Sequence, residues 1–191
     1  DHVTHAELAV TNDGKFLGFK NETIANLGAY ARVFGTVTPT YLFGPCATGV
    51  YEIPAAYSNV KAVYTNTAPV DAYRGAGRPE ATYTIERLVE KAAMELGIDR
   101  TELRMRNFPK EFPFKQTLVH TVDSGDYVAG LEKAKQMADY SGFELRKNQS
   151  LANGKLRGIG VSSYFEACGI APSAAVMSLG CGVGLWESAE V

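Results

Sequence analysis

The sequence predicts an α+β fold, a mixed sheet with helices packed on it, and three observations point there. Strand-like alternation opens the chain over 5–11 and 15–25. Amphipathic helical periodicity dominates 79–96, and the two kinds of pattern are segregated instead of alternating regularly. The first two strands are joined by Asn12-Asp13-Gly14-Lys15, a hairpin signal in which glycine supplies a left-handed position. A glycine- and aromatic-rich connection follows from Gly28 to Pro54, and a further strand spans Asn59 to Thr67.

The helix from Pro79 to Leu96 is the clearest element. Ala81, Ile85, Leu88, Val89, Ala92, Ala93 and Leu96 share one face, while Glu86, Arg87, Glu90, Lys91 and Glu95 take the remainder. Gly97 ends it. Asp99-Arg-Thr-Glu102 has capping-box spacing and opens a short helix to about Asn107. Residues 108–125, rich in proline and phenylalanine and without periodicity, predict an ordered crossing loop, where a sub-boundary within 1–191 would fall. A third helix is expected over 126–147, with Gly142 dividing it, then a turn at Asn153-Gly154 and a strand over 155–166. Small residues fill 168–182, and 184–191 alternates as a strand. A chain that opens at Asp1 and stops inside that alternation is expected to be a piece of a longer protein.

At 191 residues the chain is long enough to bury a core, and its net charge of −2 argues against a general nucleic-acid binder. No apolar run reaches the length of a membrane span, and no signal peptide precedes the first strand. Cys46, Cys168 and Cys181 form no Cys-x-x-Cys pair, which fits a reducing compartment, the cytoplasm, better than a disulfide framework.

The chemistry-bearing stretch is Ala72-Tyr-Arg-Gly-Ala-Gly-Arg-Pro-Glu80. Arg74 and Arg78 bring positive charge, Gly75 and Gly77 let backbone N–H groups approach a ligand, and Pro79 suits a first helical turn. This composition predicts an anion site for phosphate or an oxo-anion. The spacing is neither that of the dinucleotide fingerprint nor that of a P-loop, and a purely structural turn stays open on spacing alone.

The longer stretch from Val63 to Glu80 resembles the signature loop of the molybdenum hydroxylases, the family of xanthine dehydrogenase, aldehyde oxidase and the carbon monoxide dehydrogenase large subunit. The resemblance extends through Ile85-Glu-Arg-Leu88, Leu103-Arg-Met-Arg-Asn-Phe108, Ala25-Asn-Leu-Gly-Ala-Tyr30 and Ser188-Ala-Glu-Val191. It implies that 1–191 is a fragment of the molybdopterin-binding domain of a large subunit that oxidises an aldehyde or heteroaromatic carbon. It further implies molybdopterin cytosine dinucleotide with molybdenum, iron–sulfur and FAD partners, and an oligomeric parent. Carried over, Arg74 sits beside the metal and orients substrate or the metal's ligands, while Gly75 and Ala76 touch the pterin and Gly77 permits the turn. A salt bridge locking the loop is the alternative role for Arg74. Carbon monoxide dehydrogenases place a copper-binding cysteine directly after that arginine, and Gly75 stands there instead, so no molybdenum–copper centre is expected. The fragment alone is expected to be inactive and to retain no cofactor. The competing reading is a non-catalytic phosphate- or protein-binding module using the Arg74–Gly77 loop.

Other candidates are weaker. His2 and His5 face opposite sides of an extended segment, which spoils chelation even with Glu7 nearby. His120 has no acidic or thiol neighbour in sequence and is expected in a solvated loop. Glu166 is expected as a strand residue; the family's catalytic glutamate belongs to a downstream Gly-Val-Gly-Glu motif, and Gly182-Val-Gly184 is followed by Leu185. Ser162 and Ser163 lack a nucleophile-elbow context. Cys168 and Cys181 are expected as small packing residues. Tyr30, Phe34, Tyr41, Phe43 and Tyr51 are expected in core and interface packing, with a substrate funnel as the other option.

Overall fold

The computed structural model describes residues 1–166 and Met177. Strand β1 (His2–Val10) pairs antiparallel with β2 (Phe16–Asn26), and β2 pairs in parallel with β3 (Ala56–Val63), giving a three-stranded mixed sheet in the order β1-β2-β3. The hairpin turns where expected: Gly14 has φ +86°, and its N–H donates to the carbonyl of Thr11 at 2.9 Å. On β2 the residues Phe16, Phe19, Asn21, Thr23 and Ala25 are buried while Leu17, Glu22 and Ile24 are exposed, so one sheet face packs and the other is solvated. The solvated face carries His5 opposite Glu22 and Glu7 opposite Lys20, and Lys20 pairs with Glu22 along β2 at 3.6 Å.

Helix α1 (Val33–Val37) leads into a π turn over Thr38–Leu42 and a 3-10 turn over Gly44–Cys46. These replace part of the irregular connection expected between Gly28 and Pro54. Helix α2 (Arg78–Leu96) starts after Gly77 and stops at Gly97, which is left-handed with φ +66°. Helix α3 (Arg100–Arg106) is capped by Asp99, whose carboxylate accepts from the N–H groups of Thr101 and Glu102 at 2.8 and 3.1 Å. Asn107 then ties α3 to the hairpin: its amide donates to Gly14 and Leu103 carbonyls, and its side-chain oxygen accepts from Phe16 N–H, each at 2.8 Å.

The core lies between sheet and helices. Phe16 packs edge-on to Tyr51, which stacks on Phe108, and the three rings share the core with Ile85, Val89 and Leu103. The crossing loop 108–125 contains a minimal pair, β4 (Phe114–Lys115) and β5 (Thr121–Val122), too short to announce itself in sequence. The third helix is divided as expected, into α4 (Tyr127–Met137) and α5 (Phe143–Ala152), with a 3-10 turn over Tyr140–Gly142.

Two expectations need correction. Residues 155–166 form no strand among the described residues. Their alternation is real, with Ile159, Val161, Ser163 and Phe165 half-buried between exposed neighbours, but they lie against helices and not in a sheet. Glu86, assigned to the polar face of α2, is only 6% exposed. The run 168–182 with Cys168 and Cys181, the Gly182–Leu185 stretch and the strand expected over 184–191 lie outside the described residues.

Candidate functional site

Strand β3 delivers the chain to the arginine loop, which adopts a conformation few sequences tolerate. Gly75, Ala76 and Gly77 take φ of +95°, +44° and +93° in succession, so the backbone curls left-handed for three residues before α2 begins. The N–H groups of Ala76 and Arg78 donate to the carbonyls of Tyr73 and Gly75 at 2.7 and 3.2 Å. Those of Gly75 and Gly77 have no acceptor among the described residues, although Gly77 is buried. Two undirected N–H groups in a left-handed curl form a concavity suited to an anion.

The arginines divide the labour that composition assigned to both. Arg78 turns inward: its guanidinium donates to the Gly75 carbonyl at 3.3 Å and pairs with Glu166 at 3.2 Å. It is the staple of the loop. Arg74 is exposed and makes no hydrogen bond or ion pair among the described residues. The loop rests on the π turn, because a Cβ on Gly77 would stand 2.2 Å from the Thr38 carbonyl oxygen.

Behind the loop the chain brings together residues that sequence spacing kept apart. Cys46, buried, lies with its Sγ 3.4 Å from Nε2 of His120, and the Phe165 ring packs edge-on to the imidazole. His120 is thus half-buried against a thiol, not solvated. Burial, helped by Arg78, pushes its imidazole below the ordinary value, and burial pushes the Cys46 thiol up to about 11. The pair is uncharged near neutrality, and Cys46 is a packing thiol. A folded-state value raised from 9.0 to about 11 is worth roughly 3 kcal/mol at about 1.4 kcal/mol per decade. That stability is fully present below pH 9 and lost as pH rises through 11. We expect the melting temperature to fall across this window and the fall to be shallower in Cys46→Ala.

Glu166 is not in the strand expected from the sequence but pairs with Arg78 at 3.2 Å. His2 and His5 do face opposite sides: His2 packs edge-on to Phe43, and His5 pairs with Glu7 at 3.3 Å on the solvated face. No group of three metal-ligating side chains occurs among the described residues. Of the five aromatics, Phe43 and Tyr51 are core, whereas Tyr30, Phe34 and Tyr41 are exposed. A groove of about 1290 Å³ between β1 and α2 is lined by His2, Thr38, Asp71, Glu80, Tyr83 and Arg87. It borders the first turn of α2 but does not include 74–77, so this groove and the undirected N–H groups of the loop are separate features.

Residues 1–108, which include this loop and all three strands of the main sheet, match the molybdopterin cofactor-binding domain family. The chain belongs to that family. The chain is 38% identical, over its whole length, to the carbon monoxide dehydrogenase large chain of Hydrogenophaga pseudoflava. It is 34% identical over 88% of its length to the gamma subunit of the 6-hydroxypseudooxynicotine dehydrogenase complex of Paenarthrobacter nicotinovorans. It covers 24% and 22% of those relatives, so it spans about a quarter of their length. Among solved structures, quinoline 2-oxidoreductase of Pseudomonas putida 86 superposes with a TM-score of 0.75 at 31% identity, over 80% of this chain and 20% of that one. The described helices include none long and apolar enough to cross a membrane.

Proposed function

We propose that this chain forms one wall of the molybdenum–pterin site in the large subunit of a hydroxylase acting on an aldehyde or heteroaromatic carbon. The observation that carries the reading is the left-handed curl at Gly75-Ala76-Gly77, with two N–H groups lacking acceptors and Arg74 exposed beside them. These residues fit the group: the N–H groups suit its oxygen atoms, and Gly75 and Gly77 keep the approach clear of side chains. When bound, molybdopterin cytosine dinucleotide supplies the two-electron oxidation of a C–H bond, with electrons leaving to iron–sulfur and FAD partners. Arg74 presents a permanent positive charge to substrate or to the oxo ligands, while Arg78 and Gly77 hold the loop in shape. Gly75 occupies the position of the copper cysteine, so this chain offers no thiolate there for a soft ion, and we exclude carbon monoxide from the substrates on that ground.

The whole of 1–191 acts as a fragment of the cofactor-binding domain, with a sub-boundary in 108–125; the family match ending at residue 108 supports that division. The parent is cytoplasmic and oligomeric. One wall of a pocket forfeits most of the contacts, so the isolated chain retains no cofactor and turns nothing over.

In the assembled parent enzyme, Arg74→Ala should lower kcat/KM by about 10²–10³-fold, the usual cost of one preorganised charge or donor. Molybdenum content measured by mass spectrometry should change little. Unchanged kinetics would remove Arg74 from the site. The competing reading, a non-catalytic phosphate-binding module, draws on the same curl; it would be favoured if the parent held no molybdenum and calorimetry showed inorganic phosphate binding lost in Arg74→Ala.

A further inference from the structure

We propose that the buried Glu86–Arg104 ion pair is a positioning device for the arginine loop. It latches the extended segment 159–166 onto helices α2 and α3, and that segment delivers Glu166 to Arg78, the staple of loop 74–77.

The pair is nearly sealed, with Arg104 0% and Glu86 6% exposed. The Arg104 guanidinium donates to Glu86 Oε2 from Nε at 3.0 Å and approaches it from a terminal nitrogen at 2.9 Å. The same oxygen accepts the N–H of Ser163 at 3.1 Å, and Arg104 donates to the carbonyl of Val161 at 3.0 Å. One turn earlier on α3, Arg100 donates to the carbonyl of Ile159 at 2.9 Å. Carbonyl 159, carbonyl 161 and N–H 163 belong to successive inward-facing residues of the segment. The side-chain guanidinium and carboxylate therefore stand where a neighbouring strand would have placed its own N–H and C=O groups.

An apolar helix surface could not do this, because backbone groups laid against it would be buried without partners. Buried ion pairs are also poor sources of stability compared with apolar side chains of similar volume. What this pair provides is two directed contacts to a segment with no sheet of its own among the described residues.

The consequence is carried onward over a short distance. From Ser163 to Glu166 an extended chain spans only about 10 Å, leaving little slack. Within it Phe165 seats against Phe43, Cys46 and Ala81. Glu166 then meets Arg78, which holds the Gly75 carbonyl. Arg104 reaches the loop only through these contacts, so it is a positioning residue. Its value to cofactor binding rests on the function proposed above; the latch itself does not.

The test uses the full chain carrying Cys168→Ser and Cys181→Ser, which leaves Cys46 as the single thiol. In the charge-free variant Glu86→Leu/Arg104→Met the helices remain packed, and cooperative melting is expected near the starting temperature. Amide exchange of Ser163, Ala76 and Arg78, whose N–H groups are hydrogen-bonded, should accelerate about tenfold or more, and Cys46 should react about tenfold faster with a thiol reagent. Exchange changes confined to α2 and α3, with the segment, the loop and Cys46 unaffected, would overturn the proposal. Glu166→Gln serves as the second variant, needed if the first does not fold. It should speed exchange of Ala76 and Arg78 while Ser163 stays protected, and an unchanged loop in that variant overturns the proposal equally. No cofactor enters these readouts, so failure here leaves the molybdenum reading standing, and the reverse holds too.

Discussion

Arg104→Met alone should lower folding stability by about 3–5 kcal/mol, the range for removing one partner of a buried pair, and so most of what a domain of ordinary stability has. The substitution leaves the Glu86 carboxylate in the core with a backbone N–H and the Tyr51 hydroxyl as its remaining donors. Burial already pushes the Glu86 carboxyl above 4.5 with Arg104 beside it; without the cation it rises further. The sign of the pH dependence follows. A carboxyl raised in the folded state has its stability intact below the unfolded value and loses it as pH rises through the folded value. The variant should therefore be weakest at neutral pH and recover toward pH 4.5, where the carboxyl can take a proton. Denaturant melts across that range check this, and a deficit independent of pH would mean that lost packing, not the stranded charge, is responsible. Glu86→Leu/Arg104→Met should recover most of the loss at pH 7, because it leaves no unpaired charge in the core, although the Tyr51 hydroxyl and the Ser163 N–H lose their acceptor.

This pair also shows why part of the molecule was legible in sequence and part was not. The β1–β2 hairpin, α2 and α3 were readable because their causes are local: a Gly14 turn, a four-residue apolar repeat ending at Gly97, an Asp99 cap two and three residues from its N–H donors. The alternation over 159–166 was readable too, but alternation says only which side chains face inward. It does not say what satisfies the backbone, and here that partner sits 57 to 77 residues away in sequence. Glu86 falls beside the apolar stripe of α2, so counting faces leaves it outside; its burial is decided by Arg104 on the next helix. The Cys46–His120 contact is separated by 74 residues and left no trace in spacing. The helical turns over 33–46 contain Gly35, Pro39 and Pro45, which speak against helix locally. They form the floor on which the loop rests, close under Gly77. In the loop itself glycine announced flexibility at 75 and 77, but Ala76 at φ +44° could not be foreseen from residue type.

That floor makes Gly77→Ala the second large effect. The new methyl would stand 2.2 Å from the Thr38 carbonyl oxygen, 3.0 Å from the Phe43 nitrogen and 3.2 Å from the Leu42 carbonyl carbon. All three are backbone atoms, so no rotamer change relieves the clash. The φ of +93° adds its own strain. Backbone strain of about 1–3 kcal/mol and overpacking of about 1–3 kcal/mol together predict a loss of about 3 kcal/mol or more in the isolated chain. Gly97→Ala separates the two causes, because Gly97 is also left-handed at φ +66° but nothing lies within 4 Å of its added carbon. That variant should lose only about 1 kcal/mol. The gap between the two melting curves then measures how tightly loop 75–77 is pressed onto the π turn. Equal losses would mean that the turn yields freely and that loop and floor are not one unit. In the parent enzyme the same comparison reads out function: Gly77→Ala must displace either the loop or the turn beneath it, and should reduce molybdenum content sharply, whereas Gly97→Ala, at the far end of α2, should leave it unchanged.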